Sequence, residues 1–79
     1  MNWQEYIHRD SNVLGGKPIV RRTRISITLI LEHLAGGWTH DQILENYPTL
    51  KPEHITAVLG YAADAVNDDD VIFLERLGS

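Results

Sequence analysis

The sequence predicts a mainly α domain: three helices in a helix-turn-helix-like arrangement, behind a short extended or β N-terminal segment. Two observations carry this. After residue 26, apolar residues recur at i, i+3, i+4 and i+7 in two separate stretches, the period of a helix with one buried stripe. Before it, β-branched residues and arginines sit between turn residues, a composition suited to short extended pieces. A chain of 79 residues has room for one domain, taken as 1–79, with an extended segment 1–25, a three-helix core 26–67 and a C-terminal tail 68–79.

Each element has its own reason. Residues 3–9 mix aromatic and polar groups and suit either a short strand or an irregular arm. Asp10-Ser11-Asn12 and Gly15-Gly16 mark turns, the glycines allowing positive φ. Residues 18–25 read as extended, either a small hairpin or a ribbon between subunits, and Pro18 restricts any strand to a start or an edge. Ser26 is placed to cap a helix whose stripe is Ile27, Ile30, Leu31 and Leu34, ended by Gly36-Gly37. Thr39 and Gln42 have the spacing of a capping box, with Trp38 placed to staple against Ile43. Ile43, Leu44 and Tyr47 then face inward until Pro48 stops the second helix. Pro52 suits the first position of a third helix, with the stripe Ile55, Val58, Leu59, Ala62, Ala63 and Val66 and an end at Asn67 to Asp70. The apolar tail, Val71, Ile72, Phe73, Leu74 and Leu77, is expected to pack on the domain as a short helix or strand, or to dock on another chain.

Composition narrows the functional classes. With no cysteine, disulfides cannot reinforce so small a core, and self-association or a partner chain is the expected supplement. The first residues lack the pattern of a secretory leader, and no apolar run spans a membrane, so a cytoplasmic protein is expected. Net charge is −4, but unevenly spread. Residues 1–30 carry Arg9, Lys17, Arg21, Arg22 and Arg24 against Glu5 and Asp10; residues 31–79 carry Lys51 and Arg76 against nine acidic groups. Two surfaces facing different partners would produce this asymmetry, as would ordinary surface charge.

Catalytic signals are missing, and the expected role is binding rather than catalysis. There is no phosphate loop, no dinucleotide fingerprint and no nucleophile elbow around Ser11, Ser26 or Ser79. No pair of the histidines at 8, 33, 40 and 54 has the i, i+3 or i+4 spacing that puts two metal ligands on one helical face, and no cofactor or metal is expected. A third helix in such a bundle would read DNA. Its outward positions, however, are Glu53, His54, Thr56, Ala57, Gly60, Tyr61 and Asp64, which lack the arginine, lysine, asparagine or glutamine that read base edges. Candidate DNA contacts are therefore Lys17, Arg21, Arg22, Thr23, Arg24, Lys51 and His54, acting mostly on phosphates. The alternative for residues 21–24 is a charged edge strand that resists aggregation.

The run Gly15-Gly16-Lys17-Pro18-Ile19-Val20-Arg21-Arg22-Thr23-Arg24-Ile25 resembles the start of the family known as domain of unknown function 433. The likeness continues through Ala35-Gly36-Gly37, Gln42 to Leu50, and Ile55 to Ala63. The resemblance implies a helix-turn-helix-like fold. It also implies the role of antitoxin in a type II toxin–antitoxin pair, with a PIN-like toxin as partner, operator DNA as a second ligand and a homodimer as the working form. Three departures stand out. Arg22 occupies the family's glycine, which makes a positive-φ turn harder to form. Ser26 replaces a proline, turning a rigid helix start into a cap, and Lys51 replaces the family's capping Ser or Thr. The alternatives are a protein–protein interaction module or a small transcriptional regulator with no toxin partner.

Overall fold

The computed structural model describes the backbone of residues 2–77 and the side chains of residues 2–67. A 3₁₀ turn, Trp3–Glu5, leads into strand β1, Ile7–Arg9, which pairs antiparallel with β2, Pro18–Val20. Three helices follow: α1, Ile27–Ala35; α2, His40–Asn46; and α3, Pro52–Leu77. The class is as the sequence predicts. The hairpin forms within one chain, with Ile7 opposite Val20, His8 opposite Ile19 and Arg9 opposite Pro18. Only residues 18–20 of the expected extended segment 18–25 join the ladder, because the chain turns at Val20–Thr23.

The connections are built as their residues dictate. Between the strands, Leu14, Gly15 and Gly16 take φ values of 50°, 66° and 83°, which reverse the chain. The side chain of Ser26 accepts the Leu29 N–H and caps α1. Gly37, at φ 94°, ends that helix, and the Trp38 N–H donates to the His33 carbonyl. The capping box at α2 is complete: Thr39 Oγ1 accepts the Gln42 N–H at 3.1 Å, and Gln42 Oε1 accepts the Thr39 N–H at 2.7 Å. Trp38 lies stacked on the imidazole of His33, centroids 4.0 Å apart, and His33 Nε2 bonds the Tyr47 hydroxyl at 2.9 Å. These contacts tie the end of α1 to both ends of α2.

The core is a cluster of mainly β-branched side chains drawn from both strands and all three helices. Ile7 and Val20 of the hairpin meet Ile27 and Ile30 of α1, Ile43 of α2, Leu50 of the following turn, and Ile55, Ala57 and Val58 of α3. Burying each large side chain contributes about 1.5–3 kcal/mol, so the hairpin is an integral part of the core rather than an appended arm. Successive strand residues face opposite ways. Ile19 is accordingly buried but lies outside this cluster, on the other face of the ladder.

Helix α3 departs from the sequence reading in two ways. It runs on to Leu77 instead of ending at Asn67, since nothing after Gly60 in that span is a glycine or proline that would break it. Its buried side is also rotated. Ala57, expected outside, is fully buried, and Tyr61 is half-buried against the core cluster. The N-terminal turn causes this. Trp3 packs edge-on against Tyr61, with centroids 4.9 Å apart, and its indole N–H donates to Asp64 Oδ2 at 2.6 Å. The Trp3 side chain also lies against Gly60, where a Cβ would meet its ring at 3.6 Å, an ordinary contact distance. Arg9 adds bonds to the Gly16 carbonyl and the Tyr61 hydroxyl.

Ile30→Ala should cost about 2–5 kcal/mol by removing a fully buried side chain from the centre of the cluster. Urea unfolding followed by circular dichroism measures this. A loss below about 1 kcal/mol would mean that α1 does not anchor the core.

Candidate functional site

Of the basic residues flagged in the sequence, Arg21, Arg22 and Lys51 fall on two turns that the fold brings together. One is the four-residue turn Val20–Thr23, closed by the Thr23 N–H onto the Val20 carbonyl at 3.1 Å. The other is the turn into α3, around Lys51. Between them lies an open groove of about 470 Å³, whose walls include Arg21, Arg22, Lys51 and His54, with Tyr6 and Glu53. The groove thus gathers residues about thirty positions apart in sequence. Arg24 lines a neighbouring groove of about 480 Å³ with Arg22, His8 and Asp10. Lys17 lies in neither; it follows the glycine turn between the strands.

Arg22 occupies the third position of its turn with φ 64°. Turns of this kind take glycine there, because an L side chain in the left-handed region costs about 1–2 kcal/mol. The turn that arginine makes harder forms nonetheless. The closing hydrogen bond and the Thr23 hydroxyl hold it: Thr23 Oγ1 donates to the Val20 carbonyl at 2.7 Å and accepts the Ile25 N–H at 3.0 Å. Thr23 is therefore occupied with its own backbone, although its hydroxyl was a candidate phosphate contact.

The other polar groups are unequally committed. Arg21 donates through Nε and Nη2 to the Gln4 carbonyl and through Nη1 to His8 Nδ1 at 2.9 Å. It is exposed yet fastened across the hairpin. His54 Nδ1 accepts the Lys51 N–H at 2.8 Å, the reciprocal half of a capping box, while the bond a Ser or Thr at position 51 would make to the first turn is absent. With Nδ1 accepting, a neutral His54 carries its proton on Nε2, a donor available to a ligand. The ring is held edge-on by Tyr6, centroids 5.7 Å apart. Arg22, Arg24 and Lys51 make no side-chain hydrogen bond among the described residues. This is the electrostatic character of a face that binds anions, with Glu53 as a like-charge opponent of any such ligand.

A second face lies further along α3. The rotation of that helix turns Leu59, Ala63 and Val66 to solvent, with Leu59 41% and Val66 53% exposed. They stand at i, i+4 and i+7, a continuous apolar stripe. The sequence reading placed all three in the core. The available signal was width: apolar residues on α3 cover more of the circumference than one buried face requires. The further candidates Val71, Ile72, Phe73, Leu74 and Leu77 fall on the helical backbone of α3, and their side chains lie outside the described residues. Among the described residues, no three acidic or histidine side chains gather as a metal site, and no helix is long and apolar enough to cross a membrane.

Fold and site together define a small three-helix module with an N-terminal hairpin and a cationic face. Residues 7–62 match the family described as Protein of unknown function (DUF433), and the chain belongs to that family. Among solved structures, the crystal structure of a DUF433 member protein from Anabaena variabilis superposes with a TM-score of 0.75 at 28% identity, covering 85% of this chain and 66% of that one. An uncharacterised protein of Sinorhizobium fredii, y4eO, is 32% identical over 59 residues, which are 75% of this chain. The chain spans only 27% of the length of that relative.

Arg22→Gly should stabilise the fold by roughly 0.5–1 kcal/mol, since relief of the left-handed backbone outweighs the added freedom of the unfolded chain. Thermal unfolding would show a rise of a few degrees. A fall in Tm would contradict strain at this turn.

Proposed function

We propose that this protein is an antitoxin of the type II class, holding operator DNA by its cationic face and a PIN-like toxin by α3. The observation that supports this most directly is the division of chemistry along the molecule. Arg21, Arg22, Lys51 and His54 line one groove at the N-terminal end of α3. The exposed stripe Leu59, Ala63 and Val66 begins two turns further on, and the sequence beyond it carries Asp68, Asp69 and Asp70. A cationic groove suits the phosphate backbone, and an acidic helix with an apolar stripe suits a nuclease, whose own surface must attract phosphate. Acting on an operator, the protein would work as a homodimer, one copy to each half-site.

The burial of α3 bears on how DNA would be held. Gly60 and Tyr61 are covered by the leading turn and Ala57 is buried in the core, so that side of α3 is not free to enter a major groove. Binding through phosphates, with little reading of base edges by α3, follows. The second reading is a protein–protein interaction module without a DNA role, favoured by Glu53 in the cationic groove and by the apolar stripe on α3.

Co-expression with the product of the neighbouring reading frame, tagging only that partner, tests the toxin arm. The two chains should co-purify in equal amounts, and Leu59→Glu with Val66→Glu should abolish this without lowering Tm. Retention of the complex by the doubly substituted protein would exclude the stripe as the docking face. For the DNA arm, log affinity for a duplex from upstream of the protein's own gene should fall steeply with log salt, by about 0.9 per phosphate contact. Replacing Arg21, Arg22 and Arg24 by alanine should flatten that slope and weaken binding to all duplexes alike. No binding at low salt leaves the interaction-module reading in its place.

A further inference from the structure

We infer that the groove between the Val20–Thr23 turn and the Lys51 turn is a seat for one phosphodiester group, and that Arg22 is its principal ligand. The inference rests on the reading that the cationic face takes nucleic acid, and goes beyond it by naming the group held and the side chain that holds it.

Three observations single out Arg22. It lines the groove shared with Lys51 and His54, the one shared with Arg24 and His8, and a third of about 240 Å³ with Glu5 and Tyr6. Its guanidinium has no hydrogen-bond partner among the described residues, whereas that of Arg21 is fastened to Gln4 and His8. Its backbone stands at φ 64°, in a turn that glycine would form without strain. A strained residue held by its surroundings is a cue to function when its side chain also stands where a ligand would bind.

The chemistry of the seat fits a phosphodiester. Arg22 can present two parallel N–H donors to two phosphate oxygens. Lys51 supplies a point charge from the opposite turn, and His54 has Nε2–H to donate while its other nitrogen caps α3. Glu53 lowers the affinity for any anion. The seat is therefore set for moderate binding, which favours a repeated polyanion over an isolated ion.

The test uses the full chain and a fluorescein-labelled duplex from upstream of its own gene, alongside a duplex of scrambled sequence. Affinity is measured by anisotropy across a salt series, with Tm recorded for each variant. Arg22→Ala and Arg22→Gly should weaken both duplexes by roughly tenfold or more and reduce the salt slope by about one contact. Only Arg22→Gly should also raise Tm, so stability and binding move in opposite directions. Arg22→Lys should retain part of the affinity and the whole slope, and Glu53→Gln should tighten binding severalfold. Wild-type binding with unchanged affinity in Arg22→Gly would overturn the role of Arg22 and leave the nucleic-acid reading intact. Failure of the wild type to bind either duplex at low salt would remove that reading and this inference with it. Loss of a co-purifying protein partner by the Arg22 variants, with duplex binding unchanged, would assign the groove to an acidic protein surface instead.

Discussion

The packing of Trp3 on Gly60 and Tyr61, together with the bond from its indole to Asp64, places the hairpin against α3. Ile7 and Val20 can then join the isoleucines of the helices in one core. Two short helices packed on one long one would bury a thin core, and no disulfide reinforces it. The hairpin supplies the missing wall. It also sets the rotation of α3, because the Ala57–Tyr61 side is already occupied and Leu59, Ala63 and Val66 are left outside. The same docking carries the Arg21–Arg22 turn up to Lys51 and His54. One contact near the start of the chain thus shapes both candidate faces.

What the sequence made legible was local. Ser26, Thr39 with Gln42, Gly37 and Pro52 mark helix ends through hydrogen bonds or φ values that reach only three or four residues, and all act as their types predict. What it hid was decided over long separations. The covering of Tyr61 depends on residues more than fifty positions earlier, and no periodicity within α3 encodes that partner. Arg22 shows a third case: a local rule predicts a difficult turn, and the hydrogen bonds of Thr23 and the strand behind it prevail.

The candidate site divides in the same way. The charge of residues 21–24 was visible, and so was the isolated Lys51, but their convergence is a property of the fold. Thr23 and Arg21 show why charge or hydroxyl alone is a poor guide: both are engaged in holding the turn and the hairpin. Residue type lists the groups able to meet an anion. Their hydrogen-bonding commitments select those still free to do so.

The Trp3–Asp64 bond joins residues 61 positions apart. It therefore brings the beginning of the chain to the last turns of the core and closes nearly all of the domain into a ring. Closure over such a length has an entropy cost that grows only slowly with the enclosed chain, yet it cannot be recovered until both ends are in place. The helix-to-helix contacts are nearer in sequence and need no such closure. Assembly from helices first, with the hairpin as the final lock, is the order this topology favours, and it places the last step of folding at the seam between the N-terminal turn and the middle of α3.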